Sequence, residues 1–309
     1  MRNRFAATIE ELAAVDERVV LLSGDIGNRL FNRFKERFPD RFYNCGVAEQ
    51  NMVSVAAGLA LSGLRPVAYT IAPFLTTRAL EQIKIDLCYH NAPVVLVGVG
   101  AGLSYASLGP THHTLDDIAQ LRSLPGLTIM APGDAPEVQL ALESALSVDG
   151  PVYLRIGKKN EPVVHAEAPP FKIGESIPLR AGSAACLLST GTILPEAVAA
   201  AEDLAQQGIE VALHSVPTVQ PLAQDWLASL AKQFAVIVTI EEHAHAGGFG
   251  AAIAEAIADA DLPVHLVRIA APDQFHHDGG TTKEARLRCG LSASQIAHRV
   301  KAAYVQRAH

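Results

Sequence analysis

Short apolar runs rich in Val and Ile alternate along the chain with longer stretches whose apolar residues recur at helical spacing. In the first half the runs are VVLLSG (19–24), PVAYTI (66–71), PVVLVGVG (93–100), LTIMAP (127–132) and PVYLRI (151–156), with helical patterns over 48–62, 74–89, 115–122 and 134–147 between them. Strands that are apolar at nearly every position belong to parallel sheets covered by helices on both faces. The segment GKKNEPVVHAEAPPFKIGES loses this periodicity and carries prolines at 162, 169 and 170, the composition of a linker. The rhythm restarts with AACLLSTG (184–191), a helix near 194–207, VALHSV (211–216), FAVIVTIEE (234–242), a helix from about 249 and PVHLVRI (263–269). The pattern predicts an α/β fold of two doubly wound domains with mainly parallel sheets, with a boundary near 160–178: a first unit over 1–165, a linker over 166–178 and a second unit over 179–309.

Composition supports this picture and narrows the function. A chain of 309 residues suits two cores, and 49% apolar with 18% charged residues describes a soluble globular protein. The net charge of -7 argues against nucleic acid or an anionic membrane as the main partner. Charges interrupt every apolar run of the opening MRNRFAATIEELAAVDERVV, unlike a signal or transit sequence, and no run reaches the roughly 18 apolar residues that span a bilayer. Cys45, Cys88, Cys186 and Cys289 are far apart and form no CxxC pair, which fits reduced thiols in a cytoplasmic protein.

Several chemical motifs can be weighed. Gly98, Gly100 and Gly102 follow a strand, yet the third glycine of a dinucleotide fingerprint falls at Leu103 and no helix pattern follows. The cluster EEHAHAGGFGAAIAEAI lies between a strand and a helix, so its amides can meet an anion or simply make a tight turn. The pairs His112/His113, His243/His245 and His276/His277 lack the spacing of a sharp metal motif. There is no Walker loop and no GxSxG nucleophile elbow. Glu49 opens GVAEQNMVSVAAGLALSG, a carboxylate at the mouth of an otherwise apolar helix. Residue chemistry leaves two readings open: a first-turn acid favoured by the helix dipole, or a carboxyl held among apolar neighbours so that a proton is shared rather than lost to water.

Four motifs in order carry a resemblance. FPDRFYNCGVAEQNMVSVAAGLALSGLRPVAYTIAPFL, LGPTHH, LRSLPGLTIMAPGD and GPVYLRIG resemble the pyrimidine-binding domain of transketolase and of 1-deoxyxylulose-5-phosphate synthase, and the second unit resembles their carboxy-terminal domain. These families use thiamin diphosphate, whose Mg2+ and diphosphate are held by a GDG motif and a downstream Asn. Neither SGDIGN nor APGDAP supplies that motif. The resemblance therefore implies the carboxy-terminal subunit of a two-subunit transketolase, with Mg2+ and diphosphate on an amino-terminal partner, a homodimeric core within a heterotetramer, and no activity from this chain alone. It implies transfer of a two-carbon ketol group from a ketose, usually phosphorylated, to an aldehyde.

The resemblance also assigns residues. Glu49 is the carboxyl that hydrogen-bonds the cofactor's pyrimidine, Phe74 the aromatic packed against that ring, and Arg78 a contact to the pyrimidine or to substrate. Asp25 and Val47 match cofactor-side positions. His112 matches the histidine facing the reacting carbon, and Arg155 the arginine that binds substrate phosphate. Leu108 stands where transketolases carry an acid, a histidine expected near Gly100 is missing, and Arg29 replaces a small polar residue, which leaves a phosphate, sulfonate or carboxylate end open for the substrate. Two rivals share the fold: the beta subunit of a 2-oxo acid dehydrogenase, disfavoured by GPTHH and GVAEQN, and a non-catalytic binding subunit, disfavoured by the retention of Glu49, His112 and Arg155.

Overall fold

The computed structural model describes residues 1–27 and 29–308 and contains two sheets. The first half supplies β1 (Val19–Ser23), β2 (Phe42–Asn44), β3 (Arg65–Ile71), β4 (Val95–Val99), β5 (Thr128–Met130) and β6 (Val152–Ile156). The second supplies β7 (Ile177–Arg180), β8 (Cys186–Ser189), β9 (Ala212–Ser215), β10 (Thr218–Gln220), β11 (Val236–Ala244) and β12 (His265–Ala271). The sheet orders are β10-β5-β6-β4-β3-β1-β2 and β12-β11-β8-β9-β7. All pairings are parallel except β10 on β5 and β7 on β9, the arrangement that continuous apolar strands require. Every residue of β1, β4 and β6 is buried, and each fully buried Val, Leu or Ile stabilises by roughly 1.5–3 kcal/mol before the entropy of ordering is counted.

Two departures from the sequence pattern matter. The helix expected over 74–89 is broken into Ala72–Thr76, Leu80–Gln82 and a π-helical turn, Ile83–Tyr89. Thr76 Oγ1 bonds back to the Ala72 carbonyl at 3.1 Å, a local competitor of the regular helix ladder. The break lies beside Phe74 and Arg78. The second departure is β10, which lies beyond the linker yet pairs antiparallel with β5 of the first sheet, so the two units are stitched rather than merely adjacent.

The connection between β6 and β7 has no strand or helix and is pinned by Asp134, the N-cap of helix Ala135–Ala145. Its Oδ2 accepts the amides of Val164 and His165, each at 2.9 Å. The glycines after β4 are explained by packing. A Cβ on Gly98 would lie 2.5 Å from Tyr153 Oη, and Gly100 has φ +95° with the Tyr105 ring 2.1 Å from where a Cβ would be. The GGFG turn does meet an anion, the chain's own Glu241, which accepts the amides of Phe249 and Gly250 at 2.7 and 2.8 Å. Burial pushes the Glu241 carboxyl up to about 7 despite those two donors.

Candidate active site

The parallel pairing of β1 with β3 brings Gly24 and Thr70 together beneath the first turn of helix Glu49–Leu61. Glu49 is only 1% exposed although it opens a helix. A Cβ on Gly24 would fall 2.7 Å from Thr70 Oγ1 and 3.7 Å from Glu49 Oε1, so the close approach of β1 depends on glycine. Thr70 Oγ1 donates to Glu49 Oε1 at a long 3.4 Å, and Arg78 Nη1 donates to Glu49 Oε2 at 2.6 Å. A carboxylate taken out of water needs such a partner, since an unpaired buried charge costs several kcal/mol.

From Arg78 a row of rings and cations crosses the mouth of the first domain. The Arg78 guanidinium sits 4.6 Å from the Phe74 ring centroid, the Phe74 and His112 rings meet edge-on at 5.1 Å, His112 meets Tyr105 at 5.9 Å, and Lys158 Nζ lies 4.5 Å from the Tyr105 centroid. Burial and the nearby Lys158 charge hold His112 below the usual histidine range, so it stands as a neutral imidazole at pH 7. Its Nδ1 lies 3.0 Å from Thr111 Oγ1. His113 is more deeply placed, 7% exposed, with Nε2 buried and unpartnered, and burial lowers its pKa as well.

A cavity of about 750 Å³ opens on this row, walled on one side by Phe74, Arg78 and His113 and on the other by Pro272–His276 of the second unit. A second cavity, about 460 Å³, is lined by Ser104, Ser107, Lys158 and Lys159. Glu49 is not among the lining residues of the first cavity, while Arg78, its partner, is.

The structure thus brings Glu49, Phe74, Arg78 and His112 together. Asp25 is exposed at φ +58° and accepts a bond from Asn44 at 2.9 Å, and Val47 is 71% exposed just before the helix that Glu49 opens. Arg29 is exposed on the following turn and, among the described residues, lines neither cavity.

Arg155, which the resemblance gives to substrate phosphate, lies in the interior. It is 1% exposed, and its guanidinium is spent on Asp117 Oδ2 (2.7 Å), the Thr114 carbonyl (2.6 Å) and the Glu242 carbonyl (3.0 Å). The group is an internal tie between the His112 loop, helix Asp117–Arg122 and β11. Next to it His243 accepts the Ala119 amide at 3.3 Å and is held neutral, its pKa pushed down by burial to about 4.

Sequence reasoning missed Lys158, although the pair Lys158–Lys159 directly after a strand end was a visible signal. It also set His113 aside as a neighbour of His112, weighed His276 only in a histidine pair, and did not single out Pro272–Phe275. None of the histidine pairs gathers a ligand set. Among the described residues the group that does is Asp134, Glu137 and His165, where His165 Nδ1 is already bonded to Asp134 at 3.1 Å.

Residues 1–163 match the family Transketolase, pyrimidine binding domain, and residues 174–296 match Transketolase, C-terminal domain. The chain is 38% identical over 263 residues to an apulose-4-phosphate transketolase subunit of Actinobacillus succinogenes, covering 85% of each protein. It is 33% identical to the 6-deoxy-6-sulfo-D-fructose transketolase subunit SqwH of a Clostridium species, covering 96% of this chain and 92% of that one. Against the 1-deoxy-D-xylulose-5-phosphate synthase of Trichormus variabilis it is 35% identical over 308 residues but spans only 48% of that longer protein. A solved structure described as a split gene transketolase, inactive beta4 tetramer, superposes with a TM-score of 0.89 at 29% identity, covering 98% of this chain and 97% of that one. No helix is long and apolar enough to cross a membrane among the described residues.

Proposed function

Since the chain belongs to the transketolase family, whose enzymes use thiamin diphosphate, we propose that it is the pyrimidine-binding subunit of a split transketolase, moving a two-carbon ketol unit from a ketose to an aldehyde. Relatives of nearly its own length are named as subunits, which supports a partner that brings the diphosphate and Mg2+ site with a GDG motif and Asn. Two such chains with two partners make the expected assembly.

The observation that carries this reading is the buried Glu49 carboxyl with the Phe74 ring and the neutral His112 in file beside it. The residues fit a planar aminopyrimidine: Glu49 offers a buried carboxyl, and Phe74 presents an aromatic ring at the same mouth. When bound, the cofactor supplies a nucleophilic thiazolium carbon that carries the ketol unit. Glu49 holds a shared proton at the pyrimidine ring nitrogen, and burial keeps that proton from exchanging with water. Phe74 fixes the ring plane, which sets the geometry of that hydrogen bond. His112, uncharged, accepts or returns a proton at the substrate hydroxyl beside the reacting carbon. Lys158 and Lys159, on the far side of Tyr105, attract the anionic end of the sugar, whereas Arg155 is buried. The phosphate and sulfonate in the names of two relatives' substrates favour an anionic tail of this kind.

Reconstitution tests the proposal. Purified chain mixed with a partner bearing GDG and Asn, thiamin diphosphate and Mg2+ should turn over ketose donors, while either protein alone should not. Glu49→Gln should lower turnover by about a hundredfold or more with the melting temperature little changed. Full turnover by the chain alone, or a Glu49→Gln enzyme of ordinary rate, refutes the assignment.

A further inference from the structure

Arg78 makes two contacts at once. Its Nη1 donates to Glu49 Oε2 at 2.6 Å, and its guanidinium lies over the Phe74 ring at 4.6 Å from the centroid. These are a planar, hydrogen-bond-donating group on a carboxylate and a flat face on an aromatic ring. They are also the two contacts that the proposed function gives to the aminopyrimidine. A guanidinium and an aminopyrimidine are both planar, and once the shared proton sits on the pyrimidine ring nitrogen each presents an N–H to the carboxylate, so one can stand where the other stands.

We propose that Arg78 is a placeholder for the pyrimidine ring, displaced from Glu49 and Phe74 when the cofactor enters. The inference rests on the assignment of Glu49 to the pyrimidine.

Three features support an exchange rather than a fixed ion pair. The Arg78 side chain is 43% exposed while Glu49 is 1% exposed, so the arginine can leave toward solvent and the carboxylate cannot. Arg78 lines the 750 Å³ cavity and Glu49 does not, which puts the arginine on the path from open space to the carboxyl. The same cavity offers a second carboxylate, Asp116, tied to the residue before Arg78: Gln120 Nε2 reaches Thr77 Oγ1 at 3.1 Å and Asp116 Oδ2 at 2.7 Å. Burial and the adjacent Asp117 raise the Asp116 pKa, the mark of a carboxyl short of a cation. Arg78 swinging to Asp116 would leave Glu49 for the pyrimidine and answer that shortage. Meanwhile the placeholder satisfies a buried carboxylate that would otherwise be unpaired.

Calorimetric titration of thiamin diphosphate with Mg2+ into the reconstituted complex tests this. Arg78→Ala removes the competitor, so the expected affinity is about two- to fivefold tighter, the range of a half-exposed ion pair that no longer has to be broken. Arg78→Lys, which keeps a cation but not a flat one, should fall between and serves if the alanine variant fails to fold. In a Glu49→Gln background Arg78→Ala should bring no further gain, since both act on one contact. Weaker binding by both Arg78 variants makes the arginine a cofactor ligand and overturns the proposal, as does a gain that persists undiminished beside Glu49→Gln. Failure of the underlying assignment looks different: Glu49→Gln would then retain turnover whatever Arg78 does.

Discussion

His112 has two physical reasons to stay neutral, burial first and the Lys158 charge second, and they can be separated. In the proposed role activity falls on the acid side as the ring gains a proton. Both causes disfavour the imidazolium, so they place that acid limb below the usual histidine range near 6.5. Lys158→Met removes one cause. The limb of the kcat/KM profile should then move to higher pH, toward 6.5, apart from any loss in height from weaker binding of the sugar's anionic end. A limb that stays in place shows that Lys158 does not act on His112. Legibility at this scale depended on whether a motif fixes a side chain's direction. GVAEQNM and GPTHH put Glu49 and His112 at one mouth. The arginine of PVYLRIG reads the same whether it faces solvent or the interior, and only the parallel pairing of β6 between β4 and β5 turns it inward.

Arg155 is what joins elements here, linking β6 to helix Asp117–Arg122, to the loop that carries His112 through the Thr114 carbonyl, and to β11 of the other sheet. Asp117 has little else: the Tyr153 hydroxyl at 2.8 Å, and an Oδ1 without a hydrogen bond, 3.9 Å from the neutral His243 ring. Arg155→Met therefore strands a buried carboxylate, and urea unfolding should show a loss of about 3–5 kcal/mol. Arg155→Met with Asp117→Leu removes both charges and should recover most of that loss. A single variant of ordinary stability means the seam is not held by this pair. The long central strands and the helices Glu49–Leu61, Ala135–Ala145 and Leu194–Gln206 were legible because continuous apolar runs and 3.6-residue spacing repeat over enough positions. The three-residue strands β2 and β10 and the four-residue β7 were not, since edge strands this short have no pattern of their own and form only because a longer neighbour presents its free backbone edge. The break after Thr76 escaped for a related reason, as the hydroxyl competing with the helix looks like any other threonine in sequence.

For the molecule as a whole, the exposed apolar residues around the site bear on assembly. Val47 is 71% exposed two residues before Glu49, Leu108 is 50% exposed on the way to His112, and Phe275 is 79% exposed on the cavity wall contributed by the second unit. Single exposed apolar residues are ordinary, but these stand on the segments that carry or wall the candidate site, where the proposed partner has to close over the cofactor. Burying Val47 there would contribute roughly 1.5–3 kcal/mol, and each 1.4 kcal/mol is a tenfold change in affinity. Val47→Glu forfeits that gain and adds a charge to be desolvated. Sedimentation of the mixed subunits should show association weakened by about tenfold or more. The isolated variant should melt within about 0.5 kcal/mol of the parent chain, because Val47 touches no core. Unchanged association would place the partner interface elsewhere, and a destabilised chain would mean that Val47 matters to this fold rather than to the assembly.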